Sequence, residues 1–526
     1  MSAATYGQQQ RSLRDEFSSV LPEGFRCKVR HICTPSKRCD PLYSPIPGQQ
    51  PEKTWLASHL LVVSTDYSRL VGNHGPAEDG KDDDVIVFAI EVFLYTTKHL
   101  TTIFVSKADS TGFLARSKPS PVKAVATTFL QWLLQQQLHK RPGRKIVLSL
   151  FGRAQNQYLF PGSADHGQKH VLDDRQLIKW WAHVLDPLFS TGAQHAERRG
   201  YITVPSYHGV ETLRLFAPPG SFQGSSARWQ SGHPLLELGQ VRGLPPHAPA
   251  RCLLPRFPDD PKARFISDLD DEVGLVEERK VTVSPSKRKS GRWTSIHDLD
   301  MFWEAMEFRQ ECSSGRVVGF IWLVISPESS DDASLVTAVT ANGIGSPTTR
   351  KKSNGSCSHR NVKPSSIKRK KLSGPIIPRK PRLKGVGVSL SRDSDGSPHS
   401  WLSQPQQGVV LSRDGYDKSM QTLLNLDFGN RSVAQESTRK WVANVTSICG
   451  ATADAWVMTV SGESIANQAE GLQDSRSSVN DLNGAIRKKR KAIDETANTV
   501  DSQSFSSAPT VNILASSMVR KKPKAS

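Results

Sequence analysis

The chain lacks the sequence features of membrane, secreted and zinc-finger proteins. No apolar run is long enough to cross a bilayer, and residues 1–17 contain no apolar segment of the signal-peptide kind. The cysteines number only seven, and none occurs in a Cys-x-x-Cys pair. Cys27, Cys33 and Cys39 are separated by five residues each, which fits neither a structural zinc site nor a disulfide framework. We therefore expect a soluble intracellular protein with reduced thiols, no bound metal and no membrane association.

Acidic residues are outnumbered by basic ones. Asp plus Glu total 50 against 69 Lys plus Arg, which gives a net charge of +19. Hydrophobic residues are concentrated before about residue 328, so the folded part is expected there. The excess of positive charge favours a polyanionic partner, either nucleic acid or proteins that are bound to nucleic acid. It does not by itself establish DNA binding.

Changes in composition divide the chain into five segments. We predict a polar lead-in (1–16), a folded core (17–325, with a mobile insertion at about 268–292), a disordered basic Ser/Pro-rich linker (326–412), a helical segment that docks on the core (413–450) and a disordered tail (451–526). Clusters of Lys and Arg occur in the linker and the tail, at 368–371, 379–382, 487–491 and 520–524. Such clusters are typical of nuclear-import signals or nucleic-acid contacts.

Apolar patterns in the core predict a mixed α/β fold. Residues 85–95 and 101–106 form a candidate antiparallel hairpin, and such continuous apolar runs indicate strands that are buried on both faces. Further buried strands are expected at 145–151 and 317–325, with helices around 122–133, 177–185 and 296–308. Residues 190–250 are rich in Gly, Pro, His and Ser and are expected to have little regular structure. The prediction is a central, mostly buried sheet surrounded by helices.

A cluster of polar residues directly follows the predicted hairpin. Arg116, Ser117 and Lys118 precede Ser120-Pro121, which is a strong start signal for the helix that follows. Basic side chains beside the free N–H groups of a helix start form a phosphate-binding arrangement. An ordinary capped helix with solvated charges has the same pattern, and the residues alone leave both interpretations open.

Two adjacent tryptophans lie in the predicted helix 177–185. Neighbouring side chains on a helix point about 100° apart, so Trp180 and Trp181 cannot both face one core. One of them then lines a groove, a cofactor or a second layer; alternatively, both are boundary residues of a wide helix face.

Residues 257–265, Phe-Pro-Asp-Asp-Pro-Lys-Ala-Arg-Phe, combine adjacent carboxylates with two prolines and two cations. Pro258 and Pro261 restrict the backbone and remove two donors, so we predict a stiff, non-helical loop anchored by its terminal phenylalanines. Rigid charged loops are common sites of binding and catalysis. The simpler interpretation is a proline-punctuated surface turn with a local Asp–Arg pair.

Together these segments resemble a known enzyme family. Residues 104–109 with Thr111-Gly112, then 157–161, 169–170, 179–181 and 257–265, occur in that order. They are similar to the fungal histone acetyltransferases of the regulator-of-Ty1-transposition family, whose fold is similar to that of the CREB-binding-protein-type acetyltransferases. The resemblance covers about 17–325 and 416–445. It implies a nuclear enzyme that transfers acetyl from acetyl-CoA to newly synthesised histone H3 with a histone chaperone, in replication-coupled nucleosome assembly and the DNA-damage response.

The resemblance also implies roles for individual residues. Asp260 matches the proton donor or acceptor, with Asp259 beside it, and Lys262 matches a lysine that becomes self-acetylated. Trp181 and Tyr158 match the walls of the substrate-lysine tunnel. A further carboxylate on which activity depends is matched by Asp109. The implied acetyl-CoA contacts are Ala108, Asp109, Ser110, Arg116, Ser117, Lys118, Pro119, Ser120, Phe151, Gln155, His170, Val171, Leu172 and Trp180.

Two other functions remain open at this point. A non-enzymatic basic protein that binds chromatin or nucleic acid would explain the charge, but it leaves the tryptophan pair, the helix-start site and the acidic loop without purpose. A CoA-dependent acyltransferase with a non-histone substrate would need the same cofactor cleft. The expected partners are histone H3–H4 and histone chaperones, with DNA or chromatin contact through the basic tail.

Overall fold

The computed structural model describes residues 11–66, 84–190, 196–224, 227–272, 292–309, 316–327 and 408–465. Most of the predicted linker, of the predicted insertion and of the predicted tail lies outside the described residues. No helix among the residues described is both long and apolar enough to cross a membrane.

Eleven strands form one mixed sheet in the described part of the chain. Their bounds are β1 Arg26–Cys33, β2 Lys37–Cys39, β3 Thr54–Asp66, β4 Asp84–Thr96, β5 Leu100–Ser110, β6 Lys145–Gly152, β7 Glu197–Thr203, β8 Trp229–Ser231, β9 Gly319–Ser326, β10 Val409–Val410 and β11 Val457–Ser461. The spatial order is β10-β1-β3-β4-β5-β6-β9-β7-β8, while β11 also pairs with β1 and β2 pairs with β3. The β5–β6, β7–β8 and β1–β10 pairs are parallel and the other pairs are antiparallel.

The centre of this sheet is the predicted hairpin. Strands β4 and β5 pair antiparallel, and β4 is buried at every position from residue 84 to 95. Helices cover one face, where the backbone N–H of Ile86 donates to Thr438 Oγ1 at 3.0 Å. Rings from Phe93, Phe104 and Phe257 pack together in a separate cluster. The mixed α/β fold with a buried central sheet is therefore confirmed.

Ten α-helices are described around the sheet. They are α1 Leu13–Val20, α2 Pro121–Lys140, α3 Asp174–Leu185, α4 Gly209–Phe216, α5 Leu235–Val241, α6 Ala250–Leu253, α7 Pro261–Glu272, α8 Leu299–Glu307, α9 Arg413–Leu424 and α10 Arg431–Cys449. Helix α2 begins where the sequence indicated, with Ser120 as its N-cap and Pro121 in its first turn. Helix α3 begins with a capping box between Asp173 and Gln176.

Residues 190–250 contain more regular structure than we expected. The prediction of little structure there is wrong, because β7, α4, β8 and α5 all lie in this stretch. Gly200 shows why glycine misled the prediction: it lies inside β7, where a Cβ would come within 2.6 Å of the Trp229 ring. Here glycine permits close packing against a strand and does not mark a turn.

The acidic segment 257–265 is only partly a loop. The prediction of a wholly non-helical segment is wrong, because Pro261 opens helix α7. Proline is favoured at the first helical position, where its missing N–H has no intrahelical partner to lose. Phe257 and Phe265 are both buried and anchor the two ends of the segment. The non-helical part is therefore a short turn that ends at Asp260.

The folded part also extends beyond the predicted boundaries. Helix α1 starts at Leu13, inside the predicted lead-in, because Leu13 and Phe17 form a fully buried stripe. The C-terminal helices α9 and α10 are followed by β11, which lies inside the predicted disordered tail and pairs with β1. Strand pairing of this kind is a long-range interaction that local composition does not reveal.

Candidate active site

A cleft of about 750 Å³ lies between the end of β5, the start of α2 and the first turns of α3. Its volume is in the range of small-molecule and cofactor pockets. Every cofactor contact predicted above lines it except Pro119, and so do two of the predicted catalytic residues besides Asp109: Tyr158 and Trp181. Asp259, Asp260 and Lys262 are not among the lining residues.

The carboxylate of Asp109 holds residues 158–160 in place, and together they form one wall of the cleft. Its Oδ2 accepts hydrogen bonds from the backbone N–H groups of residues 158–160, at 2.7, 3.0 and 3.4 Å. Its Oδ1 accepts from Lys169 Nζ at 2.9 Å and from the Ser110 N–H at 2.8 Å. Both oxygens are engaged in the buried interior, so Asp109 is suited to positioning the wall and not to removing a proton.

Gly112 allows the segment that begins at Lys169 to pack closely against the chain beside this wall. Its φ of +89° lies in the left-handed region, and a Cβ there would come within 2.7 Å of Lys169 Cα and Cβ. Only glycine fits such a close approach without displacing the neighbour. The strip that continues from Lys169 brings His170, Val171 and Leu172 to the cleft.

The charged end of the cleft is at the start of α2. Arg116, Ser117 and Lys118 are exposed and line the cleft beside the N-cap Ser120, whose side chain accepts from the Lys123 N–H. Cationic side chains and free helix N–H groups therefore lie at one end, and apolar and aromatic side chains lie deeper. This combination fits acetyl-CoA, which carries phosphates at one end and a thioester at the other.

Aromatic side chains form the deep end. Trp180 and Trp181 meet edge to face, with ring centroids 4.8 Å apart and planes at 75°, and both line the cleft. The side chain of Tyr158 is fixed by a hydrogen bond from its hydroxyl to the Arg153 carbonyl. Burial is the main cause that raises the pKa of Tyr158 to about 12, so the phenol stays protonated.

The turn at Asp259 and Asp260 lies beside the cleft and is held by ion pairs. Asp260 is buried and pairs with the ammonium of Lys262, which is also buried, while the Lys262 N–H donates to Asp260 Oδ1 at 2.9 Å. Burial lowers the pKa of Lys262, an effect that Asp260 opposes. Asp259 has a φ of 58° and a largely exposed carboxylate, which accepts from Lys107 Nζ at 2.8 Å.

Stacked aromatic rings anchor the acidic turn, Asp259–Asp260, on strand β5. Phe257 lies parallel to Phe104 of β5, with centroids 4.0 Å apart and planes at 4°. Lys262 Nζ lies 4.3 Å from the centroid of the Phe320 ring, within the range of a cation–π interaction. The buried lysine therefore has an anion on one side and an aromatic face on another.

Two lysines of this site had no role in the sequence-based prediction. Lys107 and Lys169 both occur in the segments that carry the family resemblance, and the structure pairs them with Asp259 and Asp109. For Lys107 the available signal was its position. It lies two residues before Asp109, so both side chains project from the same face of β5.

A separate group of potential metal ligands lies in the core, away from the cleft. The ligand atoms of His31, Cys33 and His59 lie within 4.8 Å of one another, and all three residues are buried. The planes of the two imidazoles are nearly parallel, 9° apart, and His31 Nε2 and His59 Nδ1 are separated by 3.1 Å. This is the geometry of a direct imidazole–imidazole hydrogen bond. The expectation of no metal rested on cysteine spacing alone, did not consider this group, and stays a prediction.

Comparisons with known proteins agree with the geometry of the cleft. The family described as "Histone acetyltransferase KAT11-type domain" matches residues 13–141 and 134–444. The chain is 33% identical to the histone acetyltransferase rtt109 of Aspergillus flavus, over 98% of this chain and 99% of that protein. It is 30% identical to the rtt109 enzyme of Schizosaccharomyces pombe, over 59% of this chain and 70% of that protein.

A solved structure supports the same assignment. The crystal structure of Rtt109 from Aspergillus fumigatus superimposes with a TM-score of 0.64 and 35% identity, and the match covers 86% of this chain and all of the other. The chain belongs to the fungal Rtt109 family of histone acetyltransferases.

Proposed function

We propose that this enzyme transfers acetyl from acetyl-CoA to lysines of newly synthesised histone H3, presented as H3–H4 by a histone chaperone. We place the reaction in the nucleus, in replication-coupled nucleosome assembly and the DNA-damage response. The observation that carries the proposal is the cleft, which combines a cationic helix start with an aromatic interior beside the buried pair Asp260–Lys262. The names of the relatives support a histone substrate.

The aromatic interior has a chemical purpose in this proposal. A lysine amine is a nucleophile only when neutral, and at pH 7 the deprotonation of a free lysine costs about 4–5 kcal/mol. Walls formed by Tyr158 and Trp181 exclude water and disfavour the ammonium form, which lowers this cost. The substrate lysine then enters the deep end of the cleft in a more reactive state.

Asp260 is the group that takes the proton of the substrate amine or orients the incoming lysine. While Lys262 keeps its charge, the carboxylate of Asp260 is held in an ion pair. Acetylation of Lys262 forms an amide bond to Nζ, with loss of an amine proton and release of the CoA thiol. The amide carries no charge, so Asp260 becomes available to the substrate. Burial lowers the pKa of Lys262, which supports this step because a neutral amine is the form that reacts.

The experiment that tests the proposed function is transfer of labelled acetyl from acetyl-CoA to H3–H4, with and without a histone chaperone. Transfer is expected to fall by about 10²–10⁴-fold in Asp260→Asn, the range for loss of an acid–base group, while acetyl-CoA binding persists. Asp268→Asn is the matched control, because Asp268 lies on α7, the helix that follows Asp260, in an exposed ion pair with Arg309.

Two outcomes would overturn the proposal in different directions. If the wild-type protein transfers no acetyl under any chaperone condition but binds histones or DNA tightly, its role is binding and not catalysis. If it acetylates small amines but not histones, the cofactor assignment holds and the histone substrate does not.

A further inference from the structure

Four side chains from distant parts of the chain form a line that ends at the acidic turn. The hydroxyl of Tyr416, on α9, donates to Glu91 Oε1 at 3.0 Å. Glu91 Oε2 lies 3.7 Å from Lys107 Nζ, and that ammonium donates to Asp259 Oδ2 at 2.8 Å. The line therefore joins the C-terminal helical segment, strands β4 and β5 and the turn that precedes α7.

A β-bulge aims the central lysine. In the pairing of β4 with β5, Val92 faces Val105 but Glu91 faces Lys107, so Ser106 is the extra residue. Bulges of this kind re-aim a side chain and are frequent beside active sites. Here the bulge places Lys107 opposite Glu91 and on the lining of the cleft.

The buried end of the line is fixed more firmly than the exposed end. Glu91 is 4% exposed and Tyr416 is 2% exposed, and a buried carboxylate is costly unless it is paired. Burial, together with the neighbouring Glu91, raises the pKa of Tyr416 well above its usual value, so the phenol keeps its proton and remains a donor. Glu91 is thus held in one orientation, from which it faces Lys107.

Asp259, at the exposed end of the line, has a strained backbone that needs support. Among non-glycine residues in the described stretches, only Asp259 has a positive φ. Aspartate tolerates this region better than most residues, but the conformation still costs free energy. The backbone at Asp259 determines the direction of the next side chain, Asp260, which must enter the protein to meet Lys262.

We propose that Lys107 is a positioning residue that holds the Asp259–Asp260 turn, and that Glu91 and Tyr416 hold Lys107. The C-terminal segment 408–465 is then part of the active-site support, although it is more than 300 residues from Glu91 in sequence. This inference rests on the proposed function of Asp260 and adds a residue that works through the turn.

The first test compares Lys107→Met with Lys107→Arg in the full-length protein. Lys107→Met is expected to lower kcat for histone acetylation by about 10–100-fold, the range for misplacement of a catalytic group, with KM for acetyl-CoA within about twofold of wild type. Lys107→Arg keeps the cation and restores most of the rate. The control is Lys145→Met, which breaks the ion pair between Lys145, on the neighbouring strand β6, and Glu237 of helix α5, outside the cleft, and leaves kcat unchanged.

A double-mutant cycle tests whether Lys107 acts through the turn. In an Asp259→Ala background, Lys107→Met should add little, because the ion pair is already lost. Tyr416→Phe removes one hydroxyl and should lower kcat in the same direction by a smaller factor, about threefold to tenfold, without changing KM for acetyl-CoA. Thermal unfolding of each variant separates this effect from loss of folded protein.

Specific results would overturn the inference. Independent, multiplicative effects of Lys107→Met and Asp259→Ala would show that the lysine does not work through the turn. A raised KM for acetyl-CoA with unchanged kcat would make Lys107 a cofactor contact. If Asp260→Asn retains activity while Lys107→Met loses it, the proposed function of Asp260 fails, and Lys107 supports activity through something other than Asp260.

Discussion

The cofactor wall and the acidic turn are two sides of one site, but they are held by different kinds of interaction. Asp109 fastens the wall mainly through backbone N–H groups about 50 residues along the chain, together with one ion pair to Lys169. Asp259 and Asp260 are held by ammonium groups, and one of these, Lys107, is 152 residues away in sequence. Backbone donors exist whatever the side chain is, whereas an ion pair depends on one particular residue.

This difference predicts different responses to change. The wall is a rigid structure that fails only when its central acceptor or its close packing is removed. The turn is adjustable, because protonation, acetylation or substitution of one amine alters the charge on which it depends. This combination suits the proposed function, in which the cofactor is constant and the availability of Asp260 changes with the charge of Lys262.

The largest expected effect is at the centre of the wall. Asp109→Asn replaces an acceptor by a donor next to N–H groups and leaves Lys169, 4% exposed, without its anion. Breaking a buried pair in this way costs about 3–5 kcal/mol. Urea unfolding should show this loss of stability, and acetyl-CoA binding should weaken with it.

The control for Asp109→Asn is Asp417→Asn, which breaks an exposed pair with Arg413 and should change stability by less than about 1 kcal/mol. A loss below that value for Asp109→Asn would mean that the wall does not depend on this acceptor.

A smaller effect is expected at Gly112, where packing and backbone conformation can be separated. Gly112→Ala adds a Cβ that meets Lys169, and it also places alanine at a positive φ. Gly143→Ala shares the positive φ, but no atom lies within 4 Å of its new Cβ. The Gly143 variant should lose about 1–2 kcal/mol from backbone strain alone.

The Gly112 variant should lose more than the Gly143 variant and should also raise KM for acetyl-CoA. Unfolding curves and steady-state kinetics measure the two quantities. Equal losses with normal KM would show that the strip from Lys169 does not shape the cleft.

The sequence predicts the cofactor wall and the acidic turn to different extents, because the two depend on different kinds of contact. The start of α2 at Ser120-Pro121 and the hairpin of β4 and β5 depend on neighbours in the chain, and both predictions are confirmed. The composition of residues 257–265 predicts the acidic turn but not the helix that follows it, because its two prolines indicate a loop whereas Pro261 lies in the first turn of α7.

The ion pairs of the turn could not be predicted from the sequence. Nothing in the local pattern links Lys107 to Asp259, since the contact exists only after β5 and the chain before α7 have come together. The same holds for β11, whose place on β1 depends on a free sheet edge formed more than 400 residues earlier. Sequence patterns identified the elements and the candidate residues, and the tertiary fold determined which of them meet.

A still smaller effect is expected at the exposed end of the cleft. Arg116→Ala and Lys118→Ala should each weaken acetyl-CoA binding by roughly threefold to tenfold and leave stability unchanged, because exposed charges near a helix start contribute modestly. Arg141→Ala, at the other end of α2, is the matched control. Titration calorimetry at two salt concentrations measures the effect, and added salt should weaken wild-type binding more than binding by the variants. Equal affinity of the wild type, Arg116→Ala and Lys118→Ala for acetyl-CoA would remove the phosphate role from this segment.

The smallest effect concerns the pH dependence of Lys262. Burial lowers its pKa from the usual 10.5, so its neutral, reactive form appears at lower pH than that of a free lysine. Self-acetylation should therefore rise with pH and level off below 10.5, as followed by mass spectrometry of the Lys262 peptide. The unfolded chain binds this proton more tightly than the folded chain, so stability should also rise with pH between the lowered pKa and 10.5. Lys262→Arg should lack both trends. A rate that levels off only above pH 10.5 would mean that Asp260 raises the pKa of Lys262 by more than burial lowers it. Lys262 would then keep its charge until it is acetylated by another route.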